Sequence, residues 1–272
     1  MTQSPAPMPY PHDLRCEYRV NPLGVDEPAP RLSWRYADPA TPRGARQAAY
    51  QLLVADSPDA LARDEANVWD SGRVDSAQTT HIAYAGPTLE PAKRYWWKVQ
   101  VFNDRGQTAG YGEPASWEMG LMSRDAWQGA WIGPPQRDIN ESQPCPLLRK
   151  AFACDQPIAR ARLYITARGL HRASINGQRV SADELAPGWT DFNHRLQYNT
   201  YDVTDLLQPG DNAIGVVLAD GWYSGYLATF RAKERGRYGK EPQLCMQLII
   251  ETADGQTQTL ISDDSWQWST GA

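Results

Sequence analysis

The sequence has no apolar run approaching the ~20 residues that a helix needs to span a bilayer. Residues 1–11 are rich in proline and lack the charged and apolar regions of a secretory signal peptide. Only 4 cysteines occur, widely spaced and without a CxxC pair, which is too few for a disulfide framework or a zinc site. We therefore expect free thiols in a reducing compartment, a cytoplasmic location and no membrane partner.

Concentrated positive charge is also missing. The chain has 27 Lys and Arg residues against 32 Asp and Glu residues, a net charge of -5 and a pI of about 5.4. Basic residues are interleaved with acidic ones: even the most basic segment, residues 231–237, contains Glu234. Because binding to nucleic acid requires a concentrated positive surface to neutralise phosphates, the sequence argues against a nucleic-acid partner.

Tryptophan and tyrosine, in contrast, are abundant. The chain has 11 Trp and 13 Tyr residues but only 4 Phe residues. Trp and Tyr combine a large apolar face with a polar group, which suits both β-sandwich cores and surfaces that contact sugars. With 272 residues, 41% of them hydrophobic, the chain is long enough to form roughly two domains with cores of their own.

Short alternating segments predict an all-β protein of two antiparallel β-sandwiches, in residues 13–122 and 125–272. Apolar and polar residues alternate at 32–36, 50–54, 95–101 and 161–167. Residues 212–219 are apolar on both faces, which predicts a central, covered strand. Helical patterns are scarce.

The first domain resembles a fibronectin type III domain. The resemblance rests on Trp34, the motif Leu89-x-Pro91 and Tyr95. In that family a tyrosine corner ties a strand to the preceding loop. The resemblance implies that Trp34 and Tyr95 are core and corner residues and not ligand contacts.

The second domain contains a strand–turn–strand pattern around Asn176–Gly177, the strongest short-range signal for a hairpin, because both turn positions need positive φ. Further motifs follow in the order Ala186–Asp191 (APGWTD), Tyr201–Leu207 (YDVTDLL), Pro209–Asn212 (PGDN) and Asp220–Gly225 (DGWYSG). In this order and spacing they resemble the N-terminal β-sandwich domain of bacterial α-L-rhamnosidases. The resemblance implies a jelly-roll, galactose-binding-like fold. A β-galactosidase-type sugar-binding domain fits the sandwich but fits the two tryptophan motifs less well.

Catalysis within this chain is not indicated. Glycoside hydrolysis needs two carboxyl groups on opposite sides of the sugar, roughly 5–10 Å apart, and neither Asp183-Glu184 nor Asp263-Asp264 is placed to converge. GxSxG, GK[ST] and HExxH motifs are missing. The histidines are widely separated, and His171, at the edge of the hairpin strand, is expected to be exposed. In the resembled family the catalytic acids lie in an α/α barrel, for which this sequence lacks the long amphipathic helices. We expect no catalytic residue and no metal site.

Two loop clusters have the composition of a carbohydrate site, with aromatic faces to stack on a sugar ring and polar groups to bind its hydroxyls. The predicted carbohydrate-binding residues are Trp189, Asp191, Asn193, Asp220, Trp222, Tyr223 and Arg231. On the alternative interpretation, the tryptophans pack under loops that dock the catalytic domain. Some related rhamnose-binding modules use calcium. Asp191 and Asn193 offer oxygen ligands, although two positions fall short of the six to eight oxygens that calcium takes.

Two functions remain open. The first is the N-terminal, non-catalytic accessory region of an α-L-rhamnosidase, an enzyme that hydrolyses terminal α-L-rhamnosides. The partner of this region would be the catalytic barrel of the same enzyme. The second is a stand-alone carbohydrate-binding module for L-rhamnose or a related sugar. A docking region should expose a broad apolar patch, whereas a binding module should expose a small aromatic pocket. On either interpretation the chain alone is expected to be inactive.

Overall fold

The computed structural model describes residues 10–36, 45–135, 143–227 and 235–271. The chain divides into two compact units, Met1–Arg124 and Asp125–Ala272, each with its own hydrophobic core. Antiparallel sheets dominate both units, which confirms the predicted all-β class. Within the described ranges, no helix is long and apolar enough to cross a membrane.

The first unit contains seven described strands and one short helix. The strands are β1 (His12–Cys16), β2 (Arg31–Arg35), β3 (Ala49–Ala55), β4 (Trp69–Asp70), β5 (Ile82–Ala83), β6 (Arg94–Phe102) and β7 (Ala115–Glu118). They form one sheet in the order β1-β2-β5 and another in the order β4-β3-β6-β7. Helix α1 (Pro58–Ala62) follows β3 and is capped by Ser57, whose Oγ accepts the Ala60 amide at 3.2 Å.

Aromatic residues fill the core of the first unit, as the alternation in the sequence predicts. Trp97 and Trp117 are fully buried, and Trp34 is 2% exposed with its Nε1 donating to Gln47 Oε1 at 3.0 Å. The Tyr95 hydroxyl accepts the Glu90 amide at 2.8 Å, which is the bond of a tyrosine corner. Trp34 and Tyr95 are therefore structural residues of the sandwich.

The second unit is built from two larger sheets. Its described strands are β8 (Leu147–Cys154), β9 (Ile158–Arg168), β10 (Leu170–Ile175), β11 (Gln178–Arg179), β12 (Asn199–Asp202), β13 (Gly210–Ala219), β14 (Gln243–Thr252), β15 (Thr257–Ile261) and β16 (Gln267–Ser269). The first sheet has the order β11-β10-β13-β8-β16 and the second the order β12-β9-β14-β15. Their alternating apolar residues form the core of this unit.

The hairpin turn of the second unit lies where the sequence predicts it. Asn176 and Gly177 have φ of 50° and 82° and join β10 to β11. Strand β13 is central, paired on one side with β10 and on the other with β8. The expectation that it is covered on both faces is wrong at Val217, which is 37% exposed. Small apolar residues on an outer sheet face do not require a covering layer.

Three of the cysteines, Cys16, Cys154 and Cys245, are buried and Cys145 is exposed, and all four are free. The cytoplasmic location inferred from the cysteine pattern stays a prediction. The finer assignment of the second unit as a jelly roll and the domain limits 13–122 and 125–272 also stay predictions.

Candidate functional site

The two loop clusters predicted to bind carbohydrate lie together. Trp189 belongs to the loop between β11 and β12, and Trp222 to the short helix α2 (Gly221–Ser224). Their rings stack with centroids 5.8 Å apart and an interplanar angle of 7°. Phe192 packs edge-on against Tyr223 at 5.5 Å and against Tyr238 at 5.1 Å. We call Trp189, Phe192, Trp222, Tyr223 and Tyr238 the aromatic loop surface.

The loop that carries Trp189 is shaped by a turn around Asp191. The amides of His194 and Arg195 both donate to the Asp191 carbonyl at 2.9 Å, and the Asn193 amide donates to Asp191 Oδ1 at 3.2 Å. The Thr190 hydroxyl donates to the Arg195 carbonyl. Asp191 and Asn193 therefore form the turn next to Trp189, and the Asp191 side chain remains 55% exposed.

Asp220 holds the loop that carries Trp222. Its carboxylate accepts hydrogen bonds from Ser224 Oγ at 3.1 Å and from Arg235 Nη2. The Arg235 guanidinium also lies 5.1 Å from the centre of the Tyr226 ring. Because the Asp220 side chain is only 23% exposed, little of its carboxylate is displayed to solvent.

A glycine makes room for Tyr223. A Cβ atom at Gly239 would lie 2.3 Å from the Tyr223 hydroxyl, so a larger residue there would displace the ring. Arg231, the remaining predicted ligand, lies outside the described residues. The sequence analysis missed Phe192 and Tyr238, although Phe192 lies between the predicted residues Asp191 and Asn193.

The two stacked indoles of the aromatic loop surface differ in exposure. Trp189 is 56% exposed, whereas Trp222 is half-buried. A sugar ring between the two indoles would need about 3.5–4.0 Å of contact distance on each side, more than their 5.8 Å separation provides. A sugar therefore does not fit between the two indoles, and Trp189 is the more exposed of the pair. The carbohydrate-binding role of these residues stays a prediction.

The residues around Trp189 do not fit a calcium ion. Calcium takes six to eight oxygen ligands, and the site offers Asp191 and Asn193, with Asp191 Oδ1 already accepting a backbone amide. In the part of the chain that is described, no group of three or more His, Cys, Asp and Glu side chains could hold a metal ion.

His171 is buried, so the expectation that it is exposed is wrong. The residue is 7% exposed, its amide donates to the Ala186 carbonyl at 2.8 Å, and its Nε2 lies 3.3 Å from Asn199 Oδ1. Burial lowers the pKa of His171 to about 4, although the bond to Asn199 and the charge of Asp183 oppose this shift. The imidazole is therefore neutral near pH 7.

The carboxyl groups give no sign of a glycosidase acid. A general acid of that type needs a raised pKa. Five of the described carboxyl groups have a pKa that clearly departs from its ordinary value, and in each of them hydrogen bonds lower the pKa. These groups are Glu17, Glu65, Glu184, Asp254 and Asp263. These groups are held in the charged form, which cannot protonate a leaving group.

Comparison with known proteins gives the same family for both units. Residues 11–123 match the family described as "Rha78A-like, N-terminal immunoglobulin domain". Residues 156–272 match the "Alpha-L-rhamnosidase N-terminal domain". A protein of Formosa agariphila named "Alpha-L-rhamnosidase" is 36% identical over 260 residues, which cover 92% of this chain and 27% of the relative.

Solved structures agree with the sequence matches. The α-L-rhamnosidase from Dictyoglumus thermophilum superimposes with a TM-score of 0.85 at 34% identity, over 96% of this chain and 30% of that protein. The Streptomyces avermitilis α-L-rhamnosidase, solved in complex with L-rhamnose, has a TM-score of 0.86 at 26% identity, over 96% of this chain and 41% of that protein. The chain thus spans well under half the length of these relatives. It belongs to the α-L-rhamnosidase family and corresponds to the N-terminal region of its members.

Proposed function

We propose that this chain is the non-catalytic, N-terminal accessory region of an α-L-rhamnosidase and supports a catalytic barrel elsewhere in the same enzyme. One observation carries the proposal. The solved relatives match 96% of this chain, but the match takes up only 30% and 41% of their own length. The matched families are N-terminal domains, and the shifted carboxyl pKa values give no candidate for a glycosidase acid.

The first test is an activity measurement. Purified residues 1–272 should not hydrolyse an aryl α-L-rhamnoside, with a full-length α-L-rhamnosidase as the positive control. Turnover that survives repurification and disappears on a point mutation in this chain would contradict the proposal.

The second test concerns the gene. Sequencing downstream of codon 272 should reveal an open reading frame with long amphipathic helices, from which an α/α barrel can form. A stop codon directly after codon 272, with no barrel encoded nearby, would favour the second candidate function.

The second candidate is a carbohydrate-binding module for L-rhamnose or a related sugar. It is favoured by the indole of Trp189, which is 56% exposed next to the Asp191 turn. One stacking face and a few hydroxyl bonds give weak affinity, so we expect a Kd of about 1 mM, or about -4 kcal/mol. NMR titration with L-rhamnose, with and without calcium, measures this binding directly.

Substitutions separate the two candidates. If the module binds sugar, Trp189→Ala, Trp222→Ala and Asp191→Ala should each abolish the chemical-shift changes while the fold persists. Trp268→Ala is the matched control. Trp268 has a similar exposure, 48%, and belongs to β16, which is far from both loops in the sequence. If saturating sugar shifts the amide signals of neither loop, docking of the catalytic domain is the remaining role for the aromatic loop surface.

A further inference from the structure

The first unit contains a strained hairpin turn, and packing in the hydrophobic core does not explain the strain. Cys16 and Arg19 exchange two backbone hydrogen bonds, at 2.9 and 3.0 Å, around the two-residue turn Glu17–Tyr18. Both turn residues have positive φ, 46° at Glu17 and 65° at Tyr18. This conformation normally selects Asn-Gly, because residues with a Cβ atom are destabilised there. Placing Glu17 and Tyr18 in this turn therefore lowers the stability of the unit.

Both turn residues make contacts inside the fold, but the partners of Tyr18 are themselves exposed, and its ring meets the His81 ring edge-on at 5.5 Å. Glu17 accepts two hydrogen bonds from the Arg31 guanidinium, at 3.0 and 2.5 Å, and one from the Arg31 amide at 2.6 Å. Tyr18 is 57% exposed, so burial of its ring does not offset the strain. Its hydroxyl lies 2.7 Å from His81 Nε2, and His81 is itself exposed with φ of 56°.

These residues border a cleft of about 270 Å³. Its lining residues are Tyr18, Arg31, Leu32, Ser33, Thr80 and His81. The Arg31 guanidinium lies 5.3 Å from the centre of the Tyr18 ring, and its charge is balanced by Glu17. Strained residues often cluster at ligand clamps, and Tyr18 and His81, both with positive φ, line this cleft.

The lining chemistry defines the ligand. The Ser33 and Thr80 hydroxyls can each donate and accept hydrogen bonds, and the His81 imidazole, whose Nε2 is engaged by Tyr18, can use its other ring nitrogen. Because Arg31 is already paired, the cleft offers no unbalanced charge to an ion. The volume is slightly below the range of roughly 300–1,000 Å³ for sites that hold drug-sized ligands, so only a small ligand fits.

We propose that this cleft binds a small, neutral, polyhydroxylated molecule of the size of one sugar ring. The exposed Tyr18 ring supplies the apolar contact, and Ser33, Thr80 and His81 bind the hydroxyl groups. The site lies entirely in the first unit and shares no residue with the aromatic loop surface. It does not depend on the proposed accessory function.

The test is an NMR titration of the whole chain with D-glucose, L-rhamnose and myo-inositol in turn. We expect at least one of the three to produce saturable shifts at the amides of Tyr18, Ser33 and His81, with a Kd of about 1 mM to tens of millimolar. The absence of saturable shifts at these amides with all three probes would overturn the proposal. Shifts confined to the Trp189 and Trp222 loops would overturn it as well, while supporting the second candidate function.

Substitutions distinguish a binding role from a structural one. Tyr18→Gly removes the ring but suits the left-handed conformation, so we expect an unchanged or higher Tm together with at least a tenfold loss of affinity. Ser33→Val and Thr80→Val should also weaken binding at least tenfold. Tyr10→Ala is the matched control, because Tyr10 is 59% exposed outside the cleft. A Tm lowered by many degrees in Tyr18→Gly, or full binding by this variant, would overturn the proposal.

Discussion

His171 shows how one side chain links the stability of the second unit to pH. Its pKa of about 4 in the folded chain lies below the ordinary value of 6.5, chiefly because the ring is buried. The unfolded chain therefore binds more protons than the folded chain between pH 6.5 and 4. In this window the stability of the unit falls as the pH falls, and the full contribution of the neutral ring is present above pH 6.5.

We predict that the free energy of unfolding of the second unit drops by about 2 kcal/mol between pH 7.5 and pH 5 through His171 alone. Urea unfolding of the whole chain at both pH values, followed by amide signals of the second unit, measures this loss. The interval avoids most carboxyl titrations, which lie at lower pH. Glutamine is polar but does not titrate in this range, so in His171→Gln the decrease in the free energy of unfolding should nearly vanish. An equal drop in the variant would assign the pH dependence to other groups.

At the scale of elements, close backbone contacts place the segment that opens the second unit. Ile132 exchanges two backbone hydrogen bonds with Leu244 on β14, and Ser262 Oγ donates to the Ala130 carbonyl at 2.6 Å. A Cβ atom at Gly129 would lie 2.4 Å from the Met246 carbonyl oxygen and 2.7 Å from Ser262 Oγ. Only glycine allows the segment to approach β14 this closely.

Gly129→Ala should therefore lower the stability of the second unit by about 1–3 kcal/mol, since the added methyl group meets backbone that cannot easily move. Gly215→Ala on β13 is the matched control, because its Cβ would find its nearest neighbour at 3.8 Å. A glycine inside a strand costs roughly 0.5–1 kcal/mol relative to alanine, so this control should be neutral or slightly stabilising. Equal losses in urea unfolding would show that the contact at Gly129 relaxes freely.

At the scale of the whole molecule, the two units have separate cores. The core of the first unit includes Trp34, and that of the second includes Trp266, which is 8% exposed. Among the described residues none belongs to both clusters, so each core is packed from the residues of its own unit.

We predict that Trp34→Ala destabilises the first unit by about 3–5 kcal/mol and leaves the second folded. Trp266→Ala is the mirror-image control and should affect mainly the second unit. Amide hydrogen exchange, read unit by unit, detects both effects. If either variant exposes the amides of both units to the same degree, the units unfold as one cooperative body.

Much of the fold could be predicted from the sequence because the signals are local. Strand alternation, the Asn176–Gly177 turn and the Tyr95 corner each depend on a few neighbouring residues, and the structure contains all three. The prediction failed where distant segments decide the environment. His171 is surrounded by segments that are distant in the sequence, as the contact of its Nε2 with Asn199, 28 positions away, shows.

By itself the sequence determined the all-β class, the presence of two units and the family, because strand periodicity and motif order are properties of the chain alone. Only the tertiary structure decided what the predicted site residues contact. It stacked Trp189 on Trp222, engaged Asp220 with Arg235, and brought Tyr18 to His81, 63 positions away. Such contacts join residues far apart in the sequence, and no local propensity determines which distant side chains meet.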